Sequence, residues 1–485
     1  MNAMPLIDTT LRDGQQCLWA TRMPTSTMLP IAERLDAAGF ASIEMIGAVQ
    51  FDAAVRYLHE DPWERVRQLS ARITRTPMQG VIRSCCVLGF EPQPADLNAL
   101  WIERLVANGC RRFVLFDGLH DIDNLVPSLH KAKELGAWTI GWLTFSDSPV
   151  HTDALYAAKA QEFIDKGPVD ALMIEDASGV LTPERVRTLI PALRAVIGDM
   201  QLGLHSHALV GLPSRSYLAA AELGIDELYT CIPPVADGNA PPSVVTTAAN
   251  LRYLGYEPGI DDAAVAEIQV HLEHEARRLG YAFGAPRDFD AASVGHQVPG
   301  GVMSNLIAQL ESAGLESQLP EVLEECTRVR ADLGWPIQVT PFAQFIGVQA
   351  TLNIIQGERY KTVPDEVKKY ALGYYGALLS PVDPDVLDRI VQNGSSYISQ
   401  TVPAREPVLP GLRKRYPNLS DEQRMLRYFF DRSLVDTMDA AMKKRGFGVA
   451  EQPWMTLVRE ACKQKGAARL VVTGPGFDLR LTGRR

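Results

Sequence analysis

The sequence predicts an α/β fold, a (β/α)8 TIM-type barrel followed by a mostly helical C-terminal domain. Three observations carry this reading. Short apolar segments alternate with helix-length amphipathic segments eight times within roughly the first 250 residues, the mark of repeated β-then-α units. The residues able to do chemistry fall at the ends of the apolar segments, where such a barrel builds its active site. From residue 291 the pattern turns helical.

In order, the strands are Met4–Thr9, Ser42–Ile46, Met78–Ser84, Arg112–Phe116, Thr139–Phe145, Ala171–Glu175, Gln201–His205 and Glu227–Cys231. Between them Met28–Ala38, Pro94–Asn108, Val126–Leu135, Leu155–Lys166, Pro183–Ile197 and Ser214–Leu223 carry helical periodicity. Many end at glycine, which takes the left-handed conformation of a helix C-cap without steric cost. Asp262–Leu279, inside Gly259–Ala285, reads as a long connecting helix. Val302–Ser312, Leu319–Leu333, Ala343–Ile355, Asp365–Tyr370 and Pro384–Val391 read as helices of the second domain. Gln400–Asn418, rich in Pro and basic residues, reads as a linker or extended wrap, and Ser420–Phe430 opens on Ser-Asp-Glu, a good helix start. Asp436–Arg445 continues helically, Trp454–Lys465 adds a helix, and Arg469–Thr473 with Phe477–Leu481 suggests a hairpin. The expected units are a barrel at 1–258, a connecting helix at 259–290, a helical funnel-type domain at 291–435 and a tail at 436–485.

Composition excludes several classes. The 485 residues are 46% hydrophobic and 22% charged, ordinary for a globular chain with a sizeable core. A net charge of -10 and a pI near 5.5 argue against a nucleic-acid partner, and Lys443-Lys444-Arg445 reads as a solvated helix end. Seven cysteines, at 17, 85, 86, 110, 231, 326 and 462, show no C-x-x-C spacing, as free thiols in a reducing compartment would. The start lacks a basic and apolar leader, and no apolar run is long enough to span a membrane, so a soluble cytoplasmic protein is expected.

His205-Ser-His207 closes the seventh strand. On a strand, residues two apart point to one face, so both imidazoles can converge on one metal ion, or else serve as ordinary polar residues at a strand end. Other strand ends bring Asp8, Arg12, Asp13, Gln16, Glu44, Asp52, Arg83, Asp117, His120, Glu175 and Asp176. Imidazoles, carboxylates and two arginines together suit a divalent metal holding an anionic, carbonyl-bearing substrate.

Longer motifs narrow the reading. Leu6-Ile-Asp-Thr-Thr-Leu-Arg-Asp13-Gly-Gln-Gln16, with the histidine pair, resembles the signature of the DRE-TIM metallolyase superfamily. The run Phe51–Arg65, Phe116-Asp117, Ile232-Pro-Pro, His296-Gln-Val-Pro-Gly-Gly-Val-Met-Ser304-Asn-Leu, Val339-Thr-Pro341 with Gln344 and Gln349, and Gly357-Glu-Arg-Tyr-Lys361 look like the carboxyltransferase of biotin-dependent enzymes. That domain occurs in pyruvate carboxylase, the α subunit of oxaloacetate decarboxylase and the 5S subunit of transcarboxylase. The resemblance spans residues 5 to 430.

What the resemblance implies can be carried over residue by residue. Asp13, His205 and His207 become ligands of a divalent ion (Zn, Mn or Co); Arg12, Gln16 and Arg83 hold the carboxylate and carbonyl of pyruvate or oxaloacetate. Asp52 joins the substrate-binding set. Ser304 stands where many members use a threonine hydroxyl to relay a proton to and from biotin; its other reading is a helix N-cap for Asn305–Ser312. The family's fourth ligand is a carbamylated lysine, and here that position is Glu175, a similar carboxylate head on a shorter stem.

Other departures are Gln15-Gln16-Cys17 for His-Gln-Ser, His120 for an asparagine and Phe90 for a tyrosine. His120 reads as an acid or base or as a structural histidine. Cys17 has no evident base partner in the sequence. Ala441-Met-Lys443 superficially resembles a biotin attachment motif, but its setting is helical, so Lys443 reads as a helix C-terminal cation and biotin is expected in trans.

The expected activity is transfer of a carboxyl group between a 2-oxo acid and biotin on a separate carrier. A separate biotin carboxylase and a homodimer are the expected partners. A biotin-independent decarboxylase or Claisen/aldol-type lyase, or a catalytically silent scaffold subunit, are the alternatives that Glu175 leaves open.

Overall fold

A computed structural model describes residues 2–89, 91–299, 302–303, 306–307, 310–311, 314–445, 469–474 and 477–482. Its first half is a closed parallel barrel of β1 (Leu6–Asp8), β2 (Ser42–Ile46), β3 (Met78–Arg83), β4 (Cys110–Phe116), β5 (Trp138–Thr144), β6 (Ala171–Asp176), β7 (Gln201–Ser206) and β8 (Glu227–Thr230). The strands pair in chain order, and β8 closes on β1 from Leu6↔Leu228 to Asp8↔Thr230. All eight expected strands form, with ends moved by one or two residues.

Strand side chains divide between two cores. Ile7, Val114, Ile140, Trp142, Met173 and Tyr229 fill the barrel interior. Opposite faces pack on the surrounding helices, where buried Phe51, Trp63 and Trp101 meet in edge-on and tilted contacts with ring centroids 4.6–5.2 Å apart. Each such aromatic removes on the order of 150–250 Å² from water, so this trio anchors the outer layer. One pairing escaped the sequence: Asn2–Ala3 lies parallel to Tyr256–Glu257, two residues long and too short for any periodicity. The long helix forms at Asp262–Leu279, as its pattern predicts, started by the Asp261 carboxylate and stopped by left-handed Gly280.

Beyond residue 297 a separate core assembles, with Val322, Val329, Phe342, Ile346, Tyr370 and Ile390 among its members. It also takes in Cys85, Cys86 and Leu119 from the loops after β3 and β4, so the helical domain sits on the carboxyl ends of the strands. Polar contacts pin it there. Arg330 donates to the Ser146 hydroxyl at 2.9 Å, and Ser146 and Ser178 donate to Gln297 at 3.0 and 2.7 Å.

The chain's later helices correct the expected layout. Gln400–Asn418 is not wholly extended, because Leu409–Arg415 is helical. Leu409, Leu412, Met425, Leu426, Phe430, Val435 and Met438 pack into the barrel's outer core, not the second domain's. Glu422 accepts from Arg67 and Asn108, both at 2.7 Å, and Phe429 meets Trp101 edge-on. The expected 435/436 boundary therefore cuts through a continuous helix, Arg432–Arg445. Arg469–Gly474 and Phe477–Thr482 pair antiparallel as the expected hairpin, whereas the expected helix at Trp454–Lys465 and five residues of that at Val302–Ser312 lie outside the described residues. Among the described residues no helix is long and apolar enough to cross a membrane.

Candidate metal centre

Register brings the first ligands together. Glu175 on β6 pairs with His205 on β7, and Asp176 with Ser206, so Glu175 and His205 project side by side from adjacent strands. Just past β1 the chain makes a π-helical turn, Thr10–Gly14, in which the Thr9 hydroxyl accepts from Asp13 N at 3.3 Å. Such turns carry one extra residue per turn and re-aim side chains, here Arg12 and Asp13.

Asp13, His205 and His207 form a buried cluster whose ligand atoms all lie within 4.8 Å of one another. Asp13 Oδ2 is 2.9 Å from His205 Nε2 and 3.1 Å from His207 Nε2, and Glu175 Oε1 is 3.7 Å from His207 Nε2. These close approaches lack hydrogen-bond alignment at key atoms: Asp13 Oδ2, His205 Nε2 and Glu175 Oε2 are buried without a hydrogen-bond partner. Buried polar atoms are normally satisfied, so lone pairs that converge yet stay unpaired are what a cation site requires. Two imidazoles and carboxylate oxygens fit a divalent transition metal.

The surroundings orient this set. The carbonyl of Asn239 lies 2.9 Å from His207 Nδ1, which fixes the ring with Nε2 facing the cluster. Burial penalises charge on Asp13, but Arg12 and the two histidines hold its carboxyl well below the ordinary range. Arg12 contacts Asp13 at 3.1 Å through Nη1 and is gripped by Glu44, which accepts from Nε at 2.6 Å and lies 2.5 Å from Nη2. Glu44 also accepts from Thr9 and Gln79, each at 2.8 Å. Glu44 stood in the sequence as one acidic residue inside Ser42-Ile-Glu-Met-Ile, and that apolar setting was the only signal that it has a buried cation to hold. Gln50, absent from the expected set, donates to Arg12 O at 2.8 Å and to Gln16 at 3.3 Å.

The remaining expected residues divide. Gln16 is half-buried beside the Arg12 turn. Arg83, at the end of β3, donates to the carbonyls of Cys86 (3.0 Å) and Gly89 and lines a small cavity with Asp117, Thr340, Phe342 and Tyr375. Asp52 pairs with Arg56 at 2.8 Å on a partly exposed helix face, and it is not among the described residues that converge as the cluster. Ser304 lies outside the described residues, as does Phe90. His120 accepts from Thr144 N at 2.9 Å through Nε2, and burial holds it neutral with a pKa pulled down to about 3. It is a structural acceptor.

Cys17 does acquire a neighbour the sequence hid, since its sulfur is 3.7 Å from His207 Nδ1 and 3.5 Å from Asp13 Oδ1. Burial and Asp13 push that thiol up to about 11, the opposite of nucleophile activation. Asp176 accepts from Val180 N, Leu181 N and Ser206 and shapes the turn at Gly179, and burial raises its carboxyl to about 6.

Residues 294–428 match the model of the conserved carboxylase domain, PYC_OADA. Over 395 residues the chain is 38% identical to a pyruvate carboxylase subunit of Methanocaldococcus jannaschii, covering 81% of this chain and 69% of that one. It is 34% identical to the 2-oxoglutarate carboxylase large subunit of Hydrogenobacter thermophilus, over 80% of this chain and 60% of that one. The fold superposes on the carboxyl transferase domain of Rhizobium etli pyruvate carboxylase solved with pyruvate, at a TM-score of 0.84 and 22% identity, covering 100% of this chain and 84% of that one.

Proposed function

Since the chain belongs to the carboxyltransferase family of biotin-dependent carboxylases, we propose that it is a metal-dependent subunit moving a carboxyl group between a 2-oxo acid and biotin on a separate carrier protein. The observation that carries this reading is the convergence of Asp13, His205 and His207 beside buried Arg12, with Asp13 Oδ2 and His205 Nε2 buried and unpaired.

Asp13, His205 and His207 would hold a divalent ion such as Zn, Mn or Co, with Glu175 as the fourth group. Bound there, the ion polarises the 2-oxo group so that the neighbouring carbon can lose or accept a carboxyl. The chain's own residues do the rest. Arg12, held rigid by Glu44, presents cationic N–H groups to the substrate carboxylate, with Gln16 and Arg83 as further donors. Ser304 is the hydroxyl assigned to move the proton between substrate and biotin. Burial keeps bulk water from the reacting carbon and strengthens each of these electrostatic contacts.

The relatives' names differ in substrate, pyruvate for one and 2-oxoglutarate for the other, so the shared 2-oxo acid group defines the class. We take the working assembly to be a homodimer served by a separate biotin carboxylase. The test pairs metal analysis with oxaloacetate consumption, with and without a biotinylated carrier. One bound divalent ion per chain, carrier-dependent turnover blocked by avidin, and joint loss of metal and activity in His207→Ala are expected. Turnover without any biotinylated protein would instead support the biotin-independent lyase, and a chain that binds no metal the scaffold role.

A further inference from the structure

Two adjacent thiols lie beside Arg83 and have no part in the proposed chemistry. Cys86 N donates to Arg83 O at 3.0 Å, so Arg83 to Cys86 form a tight turn that carries the two thiols on consecutive residues. Cys85 is 7% exposed and borders two cavities, the small one that Arg83 and Asp117 line and one of about 350 Å³ reaching past Gln93 to Arg405. A small oxidant has a route to it. Cys110, Cys231 and Cys326 have none, being fully enclosed. Arg83 is tied to this turn, its Nε donating to the carbonyl of Cys86, while the carbonyl of Cys85 accepts from Gln93 N at 2.7 Å.

We propose that Cys85 and Cys86 are a peroxide-sensitive dithiol that closes to a reversible vicinal disulfide and thereby pulls Arg83 out of its place for the 2-oxo acid. The coupling to Arg83 rests on the function proposed above; the dithiol chemistry does not. The Cys85 thiolate attacks hydrogen peroxide, an S–O bond forms, the O–O bond breaks, and the leaving hydroxide takes a proton to become water. Cys86, deprotonated in turn, attacks the Cys85 sulfur; the S–S bond forms, the S–O bond breaks and a second water leaves. Two thiols and one peroxide thus give one disulfide and two waters.

Cys85 is suited to the first step, because the adjacent Cys86 thiol outweighs burial and holds it below the ordinary thiol range, while Cys86 is pushed up. Consecutive Cα atoms are about 3.8 Å apart, against roughly 4.4–6.8 Å in relaxed disulfides, so closure twists the turn and leaves an easily reduced bond. The twist re-aims the Cys85 and Cys86 carbonyls, and Arg83 loses its hydrogen bond to the Cys86 carbonyl.

Trypsin isolates both thiols on one peptide, Ser84–Arg104, which has no internal Lys or Arg. After hydrogen peroxide treatment of the full chain this peptide should lose the mass of two hydrogens and regain it with dithiothreitol. In parallel the KM for the 2-oxo acid should rise about tenfold, the worth of one charged hydrogen bond. Cys86→Ser should show neither change, and Cys85→Ser serves if that variant folds poorly. An unaltered peptide under doses that oxidise Cys17, or oxygen accumulating on Cys85 with Cys86 still reduced, overturns the dithiol. A disulfide with unchanged KM overturns the coupling. Absence of carboxyl transfer in untreated protein sinks the functional reading and the coupling together, and the peptide mass still decides the dithiol.

Discussion

Glu175 Oε1 stands 3.7 Å from His207 Nε2, while its other carboxylate oxygen is buried and unpaired. A glutamate on β6 therefore reaches the cluster that the resemblance completes with a carbamylated lysine. As a metal-side group it should matter by charge more than by shape. Glu175→Gln, nearly isosteric, is expected to weaken metal affinity by about 10-fold or more, since even outer partners of metal ligands cost about 10–100-fold. Equilibrium dialysis of the metal measures this. Glu175→Lys supplied with bicarbonate should recover metal binding where the Gln variant does not, and indifference to both changes would remove Glu175 from the site.

Arg12 is the second fixed charge. Its guanidinium is shared among Asp13 and Glu44, and Glu44 is itself saturated by Thr9 and Gln79. A lysine keeps the charge but not the planar fork, and it cannot meet Glu44 and a substrate carboxylate together. Arg12→Lys should lower kcat/KM roughly 100-fold, about 3 kcal/mol of transition-state stabilisation, with metal content retained. Loss of metal along with activity would show instead that Arg12 mainly organises Asp13.

Gly179 governs the metal site from its backbone. Its φ is +68°, and a Cβ there would sit 2.3 Å from the carbonyl oxygen of His207, a backbone atom that cannot rotate away. The left-handed conformation alone costs a non-glycine residue about 1–2 kcal/mol. Gly179→Ala should therefore lower the melting temperature and displace His207, with metal affinity falling at least about 10-fold as for other disturbed ligand supports. A variant with full metal content would show that the turn can shift without moving the ligand.

Much of this was legible in the sequence, and the reasons differ by element. Eight strands could be counted because strands buried on both faces read as apolar runs, and the spacing of two between His205 and His207 showed that both rings could face one way. Asp13 joined them through its motif. Glu44 and Gln50 stayed without roles because what they hold, Arg12, is distant in sequence and their own positions carry no pattern. Asn239 contributes only a carbonyl, which every residue has. Met425, Phe430 and Met438 follow the second domain in the chain yet pack on the barrel, since helical periodicity says that a face is buried but not against what. Asp52 looked equivalent to the mouth residues in sequence and instead pairs with Arg56 one turn away.

Acid should destabilise the protein through His120. Burial, with the charges of His151 and Lys159, pulls its pKa from 6.5 to about 3, and Nε2 must stay unprotonated to accept from Thr144 N. The folded value lies below the unfolded one, so as pH falls from about 6.5 toward 3 the unfolded chain takes up a proton that the folded chain refuses. Stability is then present above pH 6.5 and is lost through that window. At pH 5 the loss from this one residue is about 2 kcal/mol by linkage. His120 also has a φ of +52°, a region that asparagine tolerates better than most residues. His120→Asn should therefore fold with little strain and flatten the dependence: its urea midpoint should fall less between pH 7.5 and 5 than that of the parent chain. Equal falls in both proteins would mean that His120 is already neutralised in the unfolded state or is protonated without cost in the folded one.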